Sequence, residues 1–328
     1  MIWFALAILV ALVTAFVMVY LLKQFAWRKK LLDLPGEIKA HGTPKPRLGG
    51  IGIFLGWALG LLVLFLAGQV PTHIFLYLCG GSAVFLLIGV VDDLHPLRPL
   101  LKIILLALAT IVAVAFLPAS GWFQSWAGLL FSFVWILGLV NAVNMVDGLD
   151  GLAGSVAWVA IAALVGSFLL TDRSSWGFAL LPLLGAIPGF LAWNYPPARI
   201  FMGDGGSTFL GFLLAVSGLV GSGPTLVLSS FGWAVILGVF LLELLLTIFR
   251  RFRSQQSLTA GDLDHSYNRL QKSSRSDWHI LGTFLLLALV AGGCSLVMIL
   301  TDQIWLAALA FAVCLAVGLL FTVKQHLV

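Results

Sequence analysis

Long apolar runs follow one another along this chain of 328 residues, and short polar stretches separate them. Spanning a hydrocarbon core of about 30 Å takes roughly 20 helical residues, and most of the runs reach that length. The runs lie at 2–22, 48–67, 73–91, 99–117, 125–146, 151–170, 177–193, 206–221, 229–249, 278–300 and 303–323. Because 61% of the residues are hydrophobic and 9% are charged, a water-soluble globule is excluded. The sequence therefore predicts an all-α polytopic membrane protein with about 11 transmembrane helices, since only helices or closed barrels satisfy their backbone in lipid.

The distribution of basic residues predicts the orientation, because cytoplasmic loops hold the excess of Lys and Arg. With the amino terminus on the outer, periplasmic side, Arg173 is the one basic residue of 18 that falls outside. We therefore expect a single integral-membrane domain over 1–328, with cytoplasmic loops at 23–47, 92–98, 194–205 and 250–277. The net charge of +5 then reflects topology and attraction to the lipid bilayer, and no nucleic-acid binding is expected.

Two segments carry helix-packing or interface signals. Gly52, Gly56 and Gly60 recur every fourth residue, which bares one helix face for close approach. Packing within the chain is the favoured interpretation, and a homodimer is the alternative. Residues 23–34 mix basic and apolar side chains, which suits either an interfacial helix or a plain cytoplasmic loop.

Asp92 and Asp93 end an apolar run, at a helix end where the dipole disfavours anions. We therefore expect them to bind a divalent cation, contact a basic substrate group or transfer a proton. The alternative is a pair of solvated loop acids near Arg98. Lys102 follows Asp93 by nine residues, so it either reaches the same pocket or snorkels to the interface.

The stretch NAVNMVDGLDG at 141–151 places Asn141, Asn144, Asp147 and Asp150 at intervals of three residues. If the helix persists, these four polar groups form one stripe at the predicted cytoplasmic end. Such a stripe suits a metal or a polar ligand. The alternative for Asp150 is that it caps the sixth span.

The stretch NYPPARIFMGDGGSTF, from Asn194 to Phe209, joins two runs through a glycine-flanked aspartate. Glycines such as Gly205 let backbone amides approach an anion at the start of the next helix. Asp204 is favoured as a magnesium ligand, and helix capping is its alternative.

His265 lies in a polar loop rich in Arg and Lys, after Asp262 and Asp264. Cations beside a carboxylate-bound metal suit a diphosphate, and the alternative for His265 is a solvated loop histidine without a functional role. Arg47 either contacts a phosphate or only contributes to the excess of basic residues in the cytoplasmic loops. Glu243 is the deepest ionisable group, and it suits either a proton path or a buried carboxyl held neutral or hydrogen-bonded.

Four motifs in order make the chain resemble a known family. They are DLPxxxxxHxxPxPRxGG from Asp33, the DD pair with a lysine nine residues later, NAxNxxDGLDGLA from Asn141, and PAxxFMGDxGS around Asp204. The chain is similar to the polyprenyl-phosphate N-acetylhexosamine-1-phosphate transferase superfamily, and it resembles the members that initiate O-antigen synthesis.

The resemblance implies a multi-pass enzyme of the bacterial inner membrane. A UDP-N-acetylhexosamine would give its sugar 1-phosphate to undecaprenyl phosphate and release UMP, with Mg²⁺ as cofactor and Mn²⁺ as a substitute. Ion-coupled transport and a peptidoglycan-type phospho-MurNAc-pentapeptide transfer are the alternatives. The loop GDLDHSYNRL keeps one histidine, and its SYNRL tail is closer to the O-antigen subgroup.

The predicted site residues fall into three groups. The catalytic set is Asp92, Asp93, Asp147, Lys102 and His265. The substrate-binding set is Asn141, Asn144, Asp150, Asn194, Arg47 and Gly205. The metal set is Asp204, Asn144 and Asp147.

Overall fold

A computed structural model of the chain describes residues 1–33, 43–117, 124–171, 173–221, 228–255, 265–273, 275–301 and 305, 309 and 312. Every named element in these residues is an α-helix. The helices are α1 (Ile2–Lys29), α2 (Gly49–Leu66), α3 (Thr72–Leu94), α4 (Pro99–Ala115), α5 (Trp126–Val146), α6 (Leu152–Leu169), α7 (Ser174–Leu180), α8 (Leu183–Asn194), α9 (Gly203–Gly221), α10 (Leu228–Ile236), α11 (Gly238–Arg253), α12 (Ser266–Lys272) and α13 (Asp277–Thr301).

Within those residues, eight helical segments are long and apolar enough to cross a membrane, with α7 and α8 together forming one of them. The prediction of an all-α polytopic membrane protein is confirmed. α4 is a shorter apolar helix of 17 residues. The predicted span 229–249 is divided at Leu237 into α10 and α11. Most of the predicted span 303–323 lies outside the described residues, so the number of 11 spans and the orientation stay predictions.

Three of the helices extend clearly beyond the predicted ends of their apolar runs. α1 continues to Lys29, so residues 23–29 are neither a separate interfacial helix nor a loop. Similarly, α3 includes Asp92 and Asp93, and α11 runs to Arg253. The apolar pattern reports where lipid ends, whereas Lys, Arg, Gln and Leu are good helix formers that prolong the helix into water. The predicted cytoplasmic loops are correspondingly shorter.

α9 is the central helix of the bundle. Every one of its residues is buried except Asp204 in its first turn. It packs mainly against α3 and α5. Small residues allow this closeness, since a Cβ at Gly211 would lie 2.7 Å from the Cα atom of Val140 on α5. The packing brings the first turn of α9 to the last turns of α3 and α5.

The glycines of α2 form the contact with α1. A Cβ at Gly56 would lie 2.6 Å from the carbonyl oxygen of Ala11, and one at Gly60 would lie 2.7 Å from that of Ala7. A Cβ at Gly52 would meet Val19 at 2.4 Å. Without a hydrophobic force between helices in lipid, such van der Waals contact holds them together. The prediction that this face packs within the chain is confirmed.

We predict that Gly56→Leu destabilises the fold, because the new side chain would have to separate α1 from α2. Overpacking of this kind costs about 1–3 kcal/mol. Thermal unfolding in detergent should show a lower midpoint than the wild type. Gly282→Leu on α13 is the matched control, since a Cβ there meets nothing within 4 Å. Equal midpoints for the two variants would contradict the packing role.

Candidate active site

Four helix ends meet at one end of the bundle and bring together the polar motifs of the sequence. Asp92 and Asp93 lie in the last turn of α3, and Lys102 lies near the start of α4. Asp204 lies in the first turn of α9, and Asn144 lies in the last turn of α5. Residues from four distant stretches of the chain therefore converge at one place. We call Asp92, Asp93, Lys102, Asn144 and Asp204 the polar cluster.

Lys102 joins two of the carboxylates in the polar cluster. Its Nζ atom lies 2.8 Å from Oδ2 of Asp92. The same atom donates to Oδ2 of Asp204. Asp92 is an anion at the carboxyl end of α3, and Lys102 is a cation near the amino end of α4, so each is unfavourably placed in the dipole of its own helix. The ion pair between them neutralises both charges. Of the two alternatives for Lys102, a position in the same pocket as Asp92 is confirmed, and snorkelling to the interface is wrong.

Asn144 holds the other oxygen of Asp204. Its Nδ2 atom donates to Oδ1 of Asp204 at 2.7 Å and lies 2.9 Å from Oγ of Ser207. Asp204 is thus fixed by α4 through one oxygen and by α5 through the other. Its side chain does not cap α9, so the capping alternative for Asp204 is wrong.

The cap of α9 is Asp93, which comes from another helix. Its Oδ1 accepts from the backbone N of Asp204, and its Oδ2 accepts from that of Gly205, each at 3.0 Å. A carboxylate at a helix amino terminus satisfies free N–H groups and suits the dipole. The fold thus gives Asp93 a structural role, which the sequence did not reveal. The amide of Gly205 thus meets an anion, which is a carboxylate of the chain itself, and substrate binding by Gly205 stays a prediction.

Asp147 follows the end of α5 and does not continue a polar stripe. α5 ends at Val146, and Gly151 has a positive φ of 77°, so residues 147–151 form a turn. The prediction of one helical stripe through Asp150 is therefore wrong, because the glycines at 148 and 151 let the chain leave the helix. Burial, together with the negative charges of Asp204 and Asp93, raises the pKa of the Asp147 carboxyl well above its usual value.

Asn141 lies one helical turn before Asn144 but makes a different contact. Its Nδ2 atom donates to the carbonyl oxygen of Leu137 in its own helix at 2.7 Å. The structure therefore does not bring Asn141 into the polar cluster, and its substrate contact stays a prediction.

Asp150 and Asn194 hold the loop that leads into α9. Asn194 accepts from the backbone N of Gly151 and donates to the carbonyl oxygen of Ile200, both at 2.9 Å. Asp150 accepts from the backbone N of Ala198 at 2.8 Å. Asp150 makes no side-chain cap on α6, so that alternative is wrong. Both residues set the position of Asp204, and substrate binding by either stays a prediction.

Arg47 lies beside the polar cluster and is paired with an acid. Its Nη2 atom lies 2.6 Å from Oδ2 of Asp33. The backbone around it is fastened to the loop before α9, because the N of Phe201 donates to the carbonyl oxygen of Pro46 at 2.8 Å. A cavity of about 360 Å³ opens here, and Arg47, Asp33 and Asp93 are among its lining residues. A phosphate contact of Arg47 stays a prediction.

His265 is buried against Glu243 and is connected to the Asp147 turn by a neighbour. Its Nδ1 atom lies 3.0 Å from Oε1 of Glu243. Its ring stacks on Tyr267 with centroids 5.5 Å apart. A Cβ at Gly148 would lie 1.8 Å from the Tyr267 hydroxyl, so these two residues are in direct contact. The hydrogen-bonded alternative for Glu243 is confirmed. Sequence reasoning missed Tyr267, because no regular spacing along the chain connects it to residue 148. Asp262 and Asp264 lie outside the described residues.

The oxygen-bearing side chains of the site can be compared with those that commonly bind a divalent cation. In the described part of the chain, no three His, Cys, Asp or Glu side chains form a group that could hold a metal alone. Mg²⁺ is commonly held by one or two carboxylates, with waters and substrate phosphates completing the shell. Asp204 and Asp147, with the amide of Asn144, fit that mode. Burial raises the pKa of the Asp147 carboxyl, and the nearby carboxylates of Asp204 and Asp93 raise it further, so a cation there would offset both effects.

An apolar groove runs between α3 and α4 towards the polar cluster. It encloses about 370 Å³ and is lined by Gly80, Gly81, Val84, Phe85, Ile88, Leu105, Leu108, Ala109, Val112, Ala113 and Phe116. Ile88 lies one helical turn before Asp92, and Leu105 lies three residues after Lys102. A hydrogen bond of 2.9 Å from the Tyr77 hydroxyl to the Ala113 carbonyl ties the two helices near its other end. We call this space the α3–α4 groove.

Part of the chain matches a known protein family. Residues 75–222 match the model described as glycosyl transferase family 4. These residues contain Asp92, Asp93, Lys102, Asn144 and Asp204, so the match includes the whole polar cluster.

Three relatives extend the similarity over most of the chain. A probable undecaprenyl-phosphate N-acetylglucosaminyl 1-phosphate transferase of Bacillus subtilis is 28% identical over 82% of this chain and 78% of its own length. A decaprenyl-phosphate N-acetylglucosaminephosphotransferase of Mycobacterium tuberculosis is 30% identical over 83% and 76%. An undecaprenyl-phosphate alpha-N-acetylglucosaminyl 1-phosphate transferase of Thermotoga maritima is 31% identical over 78% of each. The chain belongs to glycosyl transferase family 4, within the polyprenyl-phosphate N-acetylhexosamine-1-phosphate transferase superfamily.

Proposed function

We propose that the protein transfers N-acetylhexosamine 1-phosphate from a UDP-sugar to undecaprenyl phosphate and releases UMP. The observation that carries this proposal is the polar cluster, in which Lys102 and the carboxylates meet at one end of an apolar bundle. A water-soluble anionic donor and a lipid-anchored anionic acceptor can both reach such a place. The names of the relatives, which specify undecaprenyl or decaprenyl phosphate and N-acetylglucosamine, support the same reaction.

The reaction is a phosphoryl transfer. An oxygen of the lipid phosphate attacks the phosphorus that bears the sugar, and the bond from that phosphorus to the bridging oxygen breaks. UMP leaves with the bridging oxygen and carries the electron pair of the broken bond. Positioning and electrostatic stabilisation supply most of the rate enhancement in such reactions.

Each residue of the cluster has a distinct part in this proposal. Lys102 provides positive charge for the departing phosphate of UMP. Asp92 is held by Lys102 and by the backbone N of Leu97 at 2.7 Å, and it orients the acceptor phosphate. A phosphate monoester is largely anionic at pH 7, so its attack needs placement more than deprotonation. Asp93 holds the first turn of α9, and with it Asp204, in place.

We propose Mg²⁺ as the cofactor, with Mn²⁺ able to substitute for it. Asp204, Asp147 and Asn144 would hold the ion, which when bound neutralises phosphate oxygens as a Lewis acid. His265 and Arg47 would bind the donor diphosphate. The site would face the cytoplasm, in the inner membrane of a bacterium, where nucleotide sugars are made.

We propose that the product starts a lipid-linked surface polysaccharide of the O-antigen type. The SYNRL sequence at 266–270 after a single His265 supports this choice over a peptidoglycan precursor. An ion-coupled transporter would require ionisable groups and broken helices near the bilayer centre. The acids described here instead gather at the ends of helices, and Glu243 is bonded to His265.

The first test uses purified protein, Mg²⁺, undecaprenyl phosphate and a panel of UDP-N-acetylhexosamines that includes UDP-MurNAc-pentapeptide. We expect UMP release with an N-acetylhexosamine donor and none when the lipid is omitted. UMP release with the pentapeptide donor alone would favour the peptidoglycan reaction. Substrate flux in proteoliposomes without UMP would favour transport, and folded protein that releases no UMP from any donor would overturn the proposal.

We predict that Asp204→Asn lowers kcat by about 100-fold or more, as the loss of one electrostatic contact to reacting groups commonly does. Mg²⁺ should raise the thermal midpoint of the wild type, because a ligand that binds the folded state stabilises it, and this shift should be absent in the variant. Asp277→Asn is the control, since Asp277 lies at the start of α13 and bonds to Gln271. A full Mg²⁺ shift in Asp204→Asn would remove Asp204 from the metal set.

We predict that the α3–α4 groove receives the polyprenyl chain of the acceptor, because it is apolar and leads to Lys102 and Asp92. Gly80→Leu fills the groove without a clash, since a Cβ at Gly80 meets nothing within 4 Å. The KM for undecaprenyl phosphate should rise about tenfold, or about 1.4 kcal/mol, while the KM for the UDP-sugar stays unchanged. Gly293→Leu, in equally open space on α13, is the control. An unchanged KM for the lipid in Gly80→Leu would place the chain elsewhere.

A further inference from the structure

Glu243 is a buried carboxylate to which the transfer reaction assigns no part. Its side chain is 2% exposed. Its Oε1 atom lies 3.0 Å from Nδ1 of His265 and accepts from the backbone N of Ser266 at 3.3 Å. The hydroxyl of Thr247 and Nη2 of Arg250 each lie 3.4 Å from the same oxygen. One carboxylate oxygen thus gathers donors from its own helix and from the start of α12.

The contact with Glu243 determines which ring nitrogen of His265 carries a proton. A carboxylate oxygen accepts hydrogen bonds, so Nδ1 must be the donor across this 3.0 Å contact. Only Nε2 then remains for a substrate. A second partner that fixes the tautomer and the ring orientation is a common means of preparing a functional histidine.

Tyr267 links the position of the His265 ring to the turn that contains Asp147. The His265 ring stacks on Tyr267, whose own side chain is 4% exposed. The Tyr267 hydroxyl lies against Gly148, where no side chain could fit. The start of α12 is therefore clamped between α11 on one side and residue 148 on the other.

We propose that Glu243 is a positioning residue that holds His265, with Nδ1 protonated, beside the Asp147 turn. This inference rests on the proposed transfer of sugar 1-phosphate, in which His265 binds the donor diphosphate. Glu243 itself does not touch the substrates. It supplies the anchor that fixes the ring and the first turn of α12 relative to Asp147.

The test compares Glu243→Gln and Glu243→Leu with the control variant Ser295→Ala. Gln keeps an oxygen for the Nδ1–H donor but removes the charge, whereas Leu removes both. We expect kcat to fall about 10-fold in Glu243→Gln and about 100-fold in Glu243→Leu, within the range for groups that orient functional histidines, with the KM for undecaprenyl phosphate unchanged. Ser295→Ala should keep wild-type kcat, because the Ser295 hydroxyl is buried on α13 and donates within its own helix, to the carbonyl oxygen of Ala291 at 2.8 Å.

A double-mutant cycle separates positioning from a general structural role. In a His265→Ala background, Glu243→Leu should lower kcat by less than about threefold, because the residue acts through His265. An equal loss in both backgrounds would overturn the proposal. So would wild-type kcat in both Glu243 variants, or a loss that only follows the fraction of unfolded protein in thermal melts.

A spectroscopic measurement tests the anchor without relying on turnover. With ¹⁵N-labelled histidine and His265→Ala to assign the signal, the wild type should show His265 protonated at Nδ1. Glu243→Gln should keep that signal, and Glu243→Leu should lose it. A wild type that releases no UMP but shows this pattern would overturn the proposed reaction and keep the anchor. An Nδ1 signal that persists in Glu243→Leu would overturn the anchor, whatever the activity.

Discussion

The bond between the Asp93 carboxylate and the first amides of α9 is the contact on which the site depends. It joins the carboxyl end of one helix to the amino end of another through both oxygens at 3.0 Å. A helix end buried in a bundle must find partners for its free N–H groups, and the negative charge also suits the dipole. Asp204 is the one residue of α9 that is not buried, and it lies in the turn that Asp93 caps. The cap therefore determines where the Asp204 side chain lies.

Charge balance explains why the other residues gather around that cap. Carboxylates crowded at the edge of a low-dielectric bundle repel one another. Burial raises the pKa of the Asp147 carboxyl most, and this repulsion raises it further. Lys102 compensates Asp92 and Asp204, and Arg47 pairs with Asp33. Negative charge is still in excess around Asp147, which favours a bound cation. An anionic substrate could approach such a cluster only with further positive charge beside it.

Most of the fold and part of the site could be predicted from the sequence. Apolar run length predicts helices well, because lipid leaves the backbone few alternatives. The acids at the ends of the runs indicated functional residues, since a charge near lipid is costly unless it binds a ligand or takes part in a reaction. Lys102 follows Asp93 by nine residues, which include the short non-helical connection between α3 and α4, and this spacing returns the lysine to Asp92.

The remaining part of the site depends on contacts between segments that are distant along the chain. Nothing in the spacing at 141–151 shows that α5 ends at Val146, because the residues at 141–150 also fit a continuous helix. Residue 205 offers its amide to Asp93, which lies 112 positions earlier. These pairings follow from which helices are neighbours, and periodicity alone does not reveal neighbours.

The two ends of the clamp around α12 show how such tertiary pairing can give a buried acid a function. Glu243 alone in an apolar helix is costly, and the sequence left its role open between proton transfer and a hydrogen bond. The contacts with His265 and Ser266 confirm that its carboxylate is hydrogen-bonded, whereas a proton path through Glu243 stays a prediction. Tyr267 then carries the position of the histidine to Gly148, one residue from Asp147. The fold thus connects α11, which carries Glu243, to the turn where the cation is proposed to bind. The last part of this connection is aromatic packing rather than an interaction between charges.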